Sequence, residues 1–351
     1  MSTESPTDFI PSGADLKNLL QIESTLDLDQ LFAEPLTIPV GDLFSRPRKS
    51  FRDQLVRLGC RIAARQALES GSEGAAIAKD DLAFERIQRI LCEILETFHA
   101  GSLIVDDIAD GSAYRRGAEC LHRLYGMPRA LNAGNWLYFL PFKYIEDLPV
   151  AERYRYALTR ECHMTLLRAH YGQALDVGVP VEAVPQHSVA ETALAAMELK
   201  SGVLTGLALK MGAVVFGCGD EWTAKLDRFG RKLGLSLQML DDVGNLVSPG
   251  NPEKKCEDLK LRRLGYVLCV ASQTMQPHAY RQLMNLMLDA DCTPAEILKL
   301  LEFHGIAGKA GERAKEFLKL LTGEMVRELS LDTDEAKTIE ALASELAGAY
   351  V

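Results

Sequence analysis

The sequence predicts an all-α chain built as one helical bundle. Three observations predict it. From about Gly41 onward the apolar residues recur at helical spacing. There is no run of alternating β-branched residues and no Asn-Gly or Asp-Gly hairpin signal. Turn chemistry is confined to a few breaks, with no low-complexity linker between them.

The chain is 351 residues long, 47% hydrophobic and 25% charged, an ordinary globular composition. A net charge of −10 without a basic stripe argues against a nucleic-acid partner. No apolar run approaches the roughly 20 residues of a membrane span. The N-terminus MSTESPTDFIPSG lacks an apolar segment of the secretory type, so a cytoplasmic location is expected. Eight cysteines lie scattered without a Cys-x-x-Cys pair, which fits reduced, buried thiols rather than a disulfide framework or a zinc site.

Residues 1–25 are expected to form a poorly ordered tail, and the folded domain to occupy 26–351. Leu55, Val56, Leu58, Ile62, Ala63, Ala67 and Leu68 mark a first helix, ended by Ser70–Gly74. Asp80 or Asp81 caps the next, whose stripe Ile87, Ile90, Leu91, Ile94, Leu95 and Phe98 runs into an acidic cluster. Gly126-Met127-Pro128 is a turn, followed by helices over 131–148 and 150–177. After the connector Val179–Pro185 come helices over about 187–218 and 221–246, then a break at Ser248–Pro252. Shorter helical segments fill the chain to Ala349.

The acidic cluster is the chemical centre of the sequence. FHAGSLIVDDIADGSAYRRG places Asp106, Asp107 and Asp110 before Arg115 and Arg116. Four residues apart on a helix, Asp106 and Asp110 share a face. Neighbouring carboxylates repel unless a cation lies between them. Mg²⁺ suits such oxygens, because it binds through one or two carboxylates plus substrate phosphates. The arginines can hold the same phosphates. An aspartate pair recurs in QMLDDVGN, where Asp241 and Asn245 again stand four apart, 135 residues after Asp106. Two such helix ends facing each other across a bundle could hold a diphosphate through metal ions. Breaking its carbon–oxygen bond would leave a carbocation that must be shielded from water. Singly, each of these charges reads as a solvated surface group.

In the order of its motifs the chain resembles the trans-isoprenyl diphosphate synthases (polyprenyl synthetases), and most closely the eukaryotic-type geranylgeranyl diphosphate synthases. Pro47-Arg48-Lys49-Ser50-Phe51-Arg52 looks like PGKxxR, with Arg48 in place of the glycine. The resemblance implies that Lys49, Arg52, His99 and Arg116 bind isopentenyl diphosphate. It assigns Arg115, Lys200, Ser201, Gln238 and Arg263 to the allylic diphosphate. Asp106, Asp110, Asp241, Asp242 and Asn245 become the metal ligands, and Asp106, Asp107, Asp110, Lys200, Asp241 and Asp242 the catalytic set. Gly172–Asp176 matches GQxxD, Lys200-Ser201-Gly202 resembles KTG, and Cys256–Leu259 matches CEDL. Leu237 and Leu240 depart from the usual Phe and basic residue, and 262–267 departs from GKxTxP, with Arg263 in place of the lysine. The resemblance further implies the isoprenyl synthase (class I terpenoid synthase) bundle with a central cavity, about three Mg²⁺ ions per site, and a homodimer.

Product length is expected to depend on a floor below the first aspartates. One helical turn rises about 5.4 Å, close to one isoprene unit. Gly101 and Ser102 are small, and Phe98, Tyr138, Phe139 and His170 are the deeper candidates for the floor, with Trp136 nearby. A twenty-carbon product is the first expectation and twenty-five carbons the next. A terpene cyclase on the same fold would not need Lys49, Arg52, His99 and Arg116. A non-catalytic subunit of a heteromeric synthase would be expected to lose an aspartate motif. Squalene- or phytoene-type condensation does not call for the RRG element.

Overall fold

The computed structural model describes residues 27–48, 50–247, 259 and 261–349. The expected tail over 1–25, Lys49, the break Ser248–Pro252, and Cys256, Glu257 and Asp258 lie outside the described residues. Helix α1 spans Leu28–Phe32 and continues through a π-turn, Ala33–Thr37, into α2, Ile38–Ser45. Helicity therefore begins before Gly41. Asp27 caps α1 by accepting the Gln30 amide at 3.2 Å. Pro35 lies in the π-turn, where its missing N–H suits a widened ladder.

Next come α3 (Phe51–Ser70), α4 (Gly74–Ala78) and the long α5 (Asp81–Asp110). Strands β1 (Tyr114–Arg115) and β2 (Ala118–Glu119) pair antiparallel, with Arg115 opposite Ala118. No strand was expected here. The turn consists of Arg116 at φ 53° and Gly117 at φ 80°, both in the left-handed region that suits a two-residue hairpin. Then follow α6 (Leu121–Leu124), α7 (Met127–Glu146), α8 (Glu152–Gly178), α9 (Gln186–Met197), a π-turn (Glu198–Gly202) and α10 (Val203–Val215). The chain continues with α11 (Asp220–Val247), α12 (Tyr266–Thr274), α13 (Pro277–Leu288), α14 (Pro294–Phe303), α15 (Ile306–Glu328) and α16 (Thr333–Ala349).

The chain divides into two compact units, Met1–Asp53 with Glu85–Pro149, and Gln54–Phe84 with Val150–Val351. In the first, Val40, Leu43 and Phe44 of α2, Ala100 and Ile104 of α5, and Ala133, Leu137 and Leu140 of α7 form the core. Gly101 lets α5 and α7 touch, because a Cβ there would lie 2.9 Å from the Gly134 carbonyl oxygen. In the second unit every residue of α10 except Leu204 is buried. Helix α11 lies against it at small residues: a Cβ on Gly230 would meet the Gly206 Cα at 2.6 Å. Lys210 is buried within this unit, 2.8 Å from both Glu161 and Asp227.

The run Gln186–Val215 is long and apolar enough to cross a membrane, with mean hydropathy 1.2, contrary to the reading that no run approaches that length. Of its most apolar window, 56% is buried inside the chain, so it packs as a core helix. The described cysteines, all but Cys256, are free thiols.

Candidate active site

The first unit carries one cluster. Gly111 at φ 64° ends α5 immediately after Asp110. Asp106 and Asp110 are half-buried on the last turns, whereas Asp107 is buried on another side. Arg115 holds Asp107, donating to its Oδ1 from Nε at 2.8 Å and from Nη2 at 2.5 Å. Asp107 is thereby a partner for an arginine, and the two solvent-reachable carboxylates are Asp106 and Asp110. Arg116, next in the turn, swings the other way and donates to Glu96 at 3.0 Å. Glu96 is 4% exposed and lies one helical turn before His99.

Two further residues brace the hairpin. Arg46 donates to the Arg115 carbonyl at 3.0 Å and to Asp42 at 2.9 Å. Tyr125 donates to the second oxygen of Asp42 at 2.9 Å. His99 is buried, and burial holds its pKa well below the usual imidazole range. The Arg52, Arg116 and Arg115 charges push it the same way, so the ring is neutral. Of the residues assigned to isopentenyl diphosphate, the structure gathers Arg52, His99 and Arg116 here; Lys49 is outside the described residues.

The floor residues separate. Phe98 is 1% exposed and meets Phe142 edge-on at 5.8 Å. Ser102 is half-buried and bonds back to the His99 carbonyl at 2.8 Å. Tyr138 is half-buried, and burial followed by the Asp106 charge raises its pKa. Three expectations are corrected. Gly101 is a packing glycine against Gly134 and Leu137, not open space. Phe139 is 71% exposed in the single chain. His170 is also exposed, its Nδ1 2.8 Å from the Leu166 carbonyl oxygen.

The second unit carries the other cluster, a cleft lined by Asp176, Lys200, Ser201, Gln238, Asp242 and Arg263. The π-turn after α9 presents Lys200, whose Nζ donates to Asp176 at 2.7 Å. Gly172 makes this possible, since a Cβ there would lie 2.3 Å from the Lys200 backbone nitrogen. Ser201 donates to Gln238 at 2.8 Å, and Gln238 donates to Asp242 at 2.8 Å. The Tyr266 amide takes the other Asp242 oxygen at 2.6 Å. Both oxygens of Asp242, an expected metal ligand, accept from N–H donors, and each keeps a second lone pair. Its burial raises the pKa well above the carboxylate range; the Tyr266 and Gln238 hydrogen bonds oppose this, and Asp241 and Asp176 add to it. Asp241 and Asn245, half-buried four residues apart, remain the candidate oxygen ligands.

Arg263 is 9% exposed and lies 4.0 Å from Asp176. Arg262, at φ 56°, turns outward to Glu182 at 2.8 Å. Arg263 is thus the charged member of the departing stretch that reaches the cleft, beside Leu264 and Gly265. Among the described residues no three of His, Cys, Asp and Glu converge on a cation position. Pairs of oxygens such as Asp106/Asp110 and Asp241/Asn245 nevertheless fit Mg²⁺, which completes its shell with water and substrate phosphates.

Each unit thus carries a pair of candidate oxygen ligands near a helix end, beside fixed cations. The polyprenyl synthetase profile matches residues 34–303, and the chain belongs to that family. The geranylgeranyl pyrophosphate synthase atmG of Aspergillus flavus is 27% identical over 243 residues, 67% of this chain and 64% of that protein. A geranylfarnesyl diphosphate synthase of Natronomonas pharaonis is 34% identical over 160 residues, 45% of each chain. The chain thus spans about two thirds of the length of the first relative and less than half of the second. A crystal structure of a geranylgeranyl pyrophosphate synthase superposes with TM-score 0.75 at 20% identity, covering 97% of this chain and 99% of that one, a likeness of fold.

Glu96, Asp42, Arg46 and Tyr266 were not singled out from the sequence, and Asp176 was seen only as part of GQxxD. Glu96 had a signal: it is a carboxylate three residues before His99 within an otherwise apolar stripe. Asp42 and Arg46 stand four apart, the spacing of a helical ion pair; the remaining contacts join residues far apart in the chain and leave no local pattern.

Proposed function

We propose that the chain is a Mg²⁺-dependent trans-prenyltransferase. It joins isopentenyl diphosphate to an allylic diphosphate and makes geranylgeranyl diphosphate, with the twenty-five-carbon product next. The allylic carbon–oxygen bond breaks and diphosphate leaves. The isopentenyl double bond then attacks the allylic carbon, and the adduct passes a proton to the released diphosphate. Bound Mg²⁺, about three ions per site, would neutralise the leaving diphosphate. Asp106 and Asp110 in the first unit, and Asp241 and Asn245 in the second, would supply oxygens for such ions.

In the first unit, Arg52, Arg116 and neutral His99 bind the isopentenyl diphosphate, and Arg115 serves the allylic one. In the second unit, Lys200, Ser201, Gln238 and Arg263 serve the allylic diphosphate, with Asp176 orienting two of the cations. The observation that carries this reading is the cationic corner around His99, where Arg52, Arg115 and Arg116 all act on one buried imidazole. A cyclase has no second diphosphate to place there.

A homodimer fits the exposed apolar residues of α8, Tyr156 at 73%, Leu167 at 43% and Tyr171 at 66%, and Phe139 of α7. A second copy would cover them, and sedimentation of the full chain tests this. Free thiols suit a cytoplasmic location.

The deciding experiment is an end-point assay with Mg²⁺, labelled isopentenyl diphosphate and dimethylallyl, geranyl or farnesyl diphosphate in turn. Products are separated by chain length before and after phosphatase. Geranylgeranyl diphosphate as main product is the expected result. A hydrocarbon formed without isopentenyl diphosphate would replace this reading with a cyclase.

A further inference from the structure

A row of alternating charges runs through the second unit to the turn that carries Lys200. Lys210 of α10 is buried, its Nζ 2.8 Å from Glu161 of α8 and 2.8 Å from Asp227 of α11. The other oxygen of Asp227 lies 3.0 Å from Arg231 Nε, and Arg231 Nη1 donates to Glu198 at 2.8 Å. The row ends at Glu198, the first residue of the π-turn Glu198–Gly202.

Glu198 is also the residue that closes this turn. Its carbonyl accepts the Val203 amide, five residues on, the bond that widens the ladder. Its side chain leaves across Gly202: a Cβ there would stand 3.3 Å from Glu198 Cγ and 2.7 Å from the Arg231 carbonyl oxygen. Helix α11 touches the turn again at Gly234, where a Cβ would meet the Gly202 Cα at 2.8 Å. A widened turn is less favourable than the helix on either side of it and persists where its surroundings hold it. Backbone contact holds this one at its end, Gly202, and the Arg231 bridge holds it at its start, Glu198. Lys200 stands between the two holds, its Nζ directed to Asp176 at 2.7 Å.

We propose that Arg231 and Glu198 are positioning residues for Lys200: their ion pair, anchored through Asp227 to buried Lys210, holds the π-turn that aims the lysine at the allylic diphosphate. The proposal rests on the prenyltransferase reading, in which Lys200 serves that substrate. The two side chains of the bridge are 33% and 36% exposed, so the pair adds little to global stability. Without it the turn can relax toward the regular ladder, which swings Lys200 off its present direction. Aim and stability are therefore separable by measurement.

The test uses the full chain with Glu198→Gln, Arg231→Gln, Arg231→Lys and the double variant Glu198→Gln/Arg231→Gln. Each substrate is varied in turn in steady-state kinetics. Either single Gln variant is expected to raise the allylic KM about fivefold to tenfold, with the isopentenyl KM within about twofold and the melting temperature unchanged. The double variant is expected to match Arg231→Gln alone, since both changes remove one interaction. Arg231→Lys keeps the charge and should recover part of the loss. Arg228→Gln is the control: it cuts another exposed bridge of α11, to Glu328 at 2.6 Å, and should move neither KM. Titration calorimetry with Mg²⁺ and farnesyl thiolodiphosphate, whose carbon–sulfur bond resists ionisation, is expected to show the same loss without turnover. An allylic KM and affinity unchanged in both Gln variants, equal changes in the two KM values, or multiplied effects in the double variant would overturn the proposal. A wild-type chain that binds the analogue but elongates nothing would sink the prenyltransferase reading while the titration still decides the bridge. A wild-type chain that does not bind the analogue would sink both.

Discussion

Asp176 accepts a hydrogen bond from Lys200 Nζ at 2.7 Å, joining residues 24 positions apart in the second unit. Arg263 lies 4.0 Å from the same oxygen. One carboxylate thus sets the direction of two cations in the cleft.

Replacing Asp176 with Asn keeps the shape and removes the charge. The lysine ammonium then loses its 2.7 Å carboxylate partner, and more of its ordering falls to the substrate. The allylic KM is expected to rise about tenfold, with the isopentenyl KM within about twofold. Both groups are partly solvated, so the melting temperature should hardly move. Equal changes in the two KM values would show that Asp176 does not act through Lys200.

Gly172→Ala tests how the cation is positioned. The new Cβ would sit 2.3 Å from the Lys200 nitrogen and 2.6 Å from the Leu199 carbonyl carbon, both backbone atoms that cannot rotate away. The expected cost is about 1–3 kcal/mol of stability, with loss of allylic affinity. Gly178→Ala, where a Cβ meets nothing within 4 Å, is the control and should fold as well as the parent. Denaturant midpoints for the two variants give the comparison.

Much of this was legible in the sequence. The helix ends announced themselves because DDxxD and DDxxN each put two oxygens on one helical face, and RRG follows the first directly. What escaped was of two kinds. Lys200 is aimed by a π-turn, and Glu-Leu-Lys-Ser-Gly gives no sign that the ladder will widen at Glu198–Gly202. The hairpin is only two residues a side and turns through an arginine at φ 53°, where a propensity reading expects Asn or Gly. The second kind is side-chain pairing across the fold. Nothing local says that Arg116 goes to Glu96 while Arg115 goes to Asp107, or that Asp242 accepts from Gln238 and Tyr266. Likewise Gly101 looked like room for a substrate and is room for a helix.

His99 gives a pH prediction. Burial, then Arg52, Arg116 and Arg115, hold its folded pKa below the ordinary value near 6.5. The unfolded chain therefore binds this proton more tightly. Its contribution to stability is whole above about pH 6.5 and is lost as pH falls through that value toward the folded pKa. His99→Gln removes the titration, so melting temperatures measured from about pH 7.5 to 5 should fall less in the variant than in the parent. Parallel curves would mean that the ring is not held neutral.

Lys210 is 2% exposed and lies 2.8 Å from both Glu161 and Asp227. Arg231 joins from Asp227 at 3.0 Å and reaches Glu198 at 2.8 Å. Lys210→Ala leaves two carboxylates facing each other with their shared cation gone. Removing one partner of a buried ion pair costs about 3–5 kcal/mol. A denaturant midpoint shifted by that amount at constant slope is the expected result. Lys210→Met fills more of the space and should recover part of the packing but none of the charge.

Enlarging Ser102 tests where a growing chain stops. It lies four residues before Asp106, about 6 Å along the helix, and Phe98 lies a further turn down. Ser102 is half-buried and small, while Phe98 is 1% exposed and packed against Phe142, so only the serine can be enlarged without dismantling the core. Ser102→Phe would place a ring about one isoprene unit below the aspartates. The first condensations need only the space above it and should continue. The main product is expected to shorten from twenty carbons to fifteen, read by chromatography after phosphatase treatment. If geranylgeranyl diphosphate remained the main product at an undiminished rate, the tail would not run along this face of the helix, and neither Ser102 nor Phe98 would set its length.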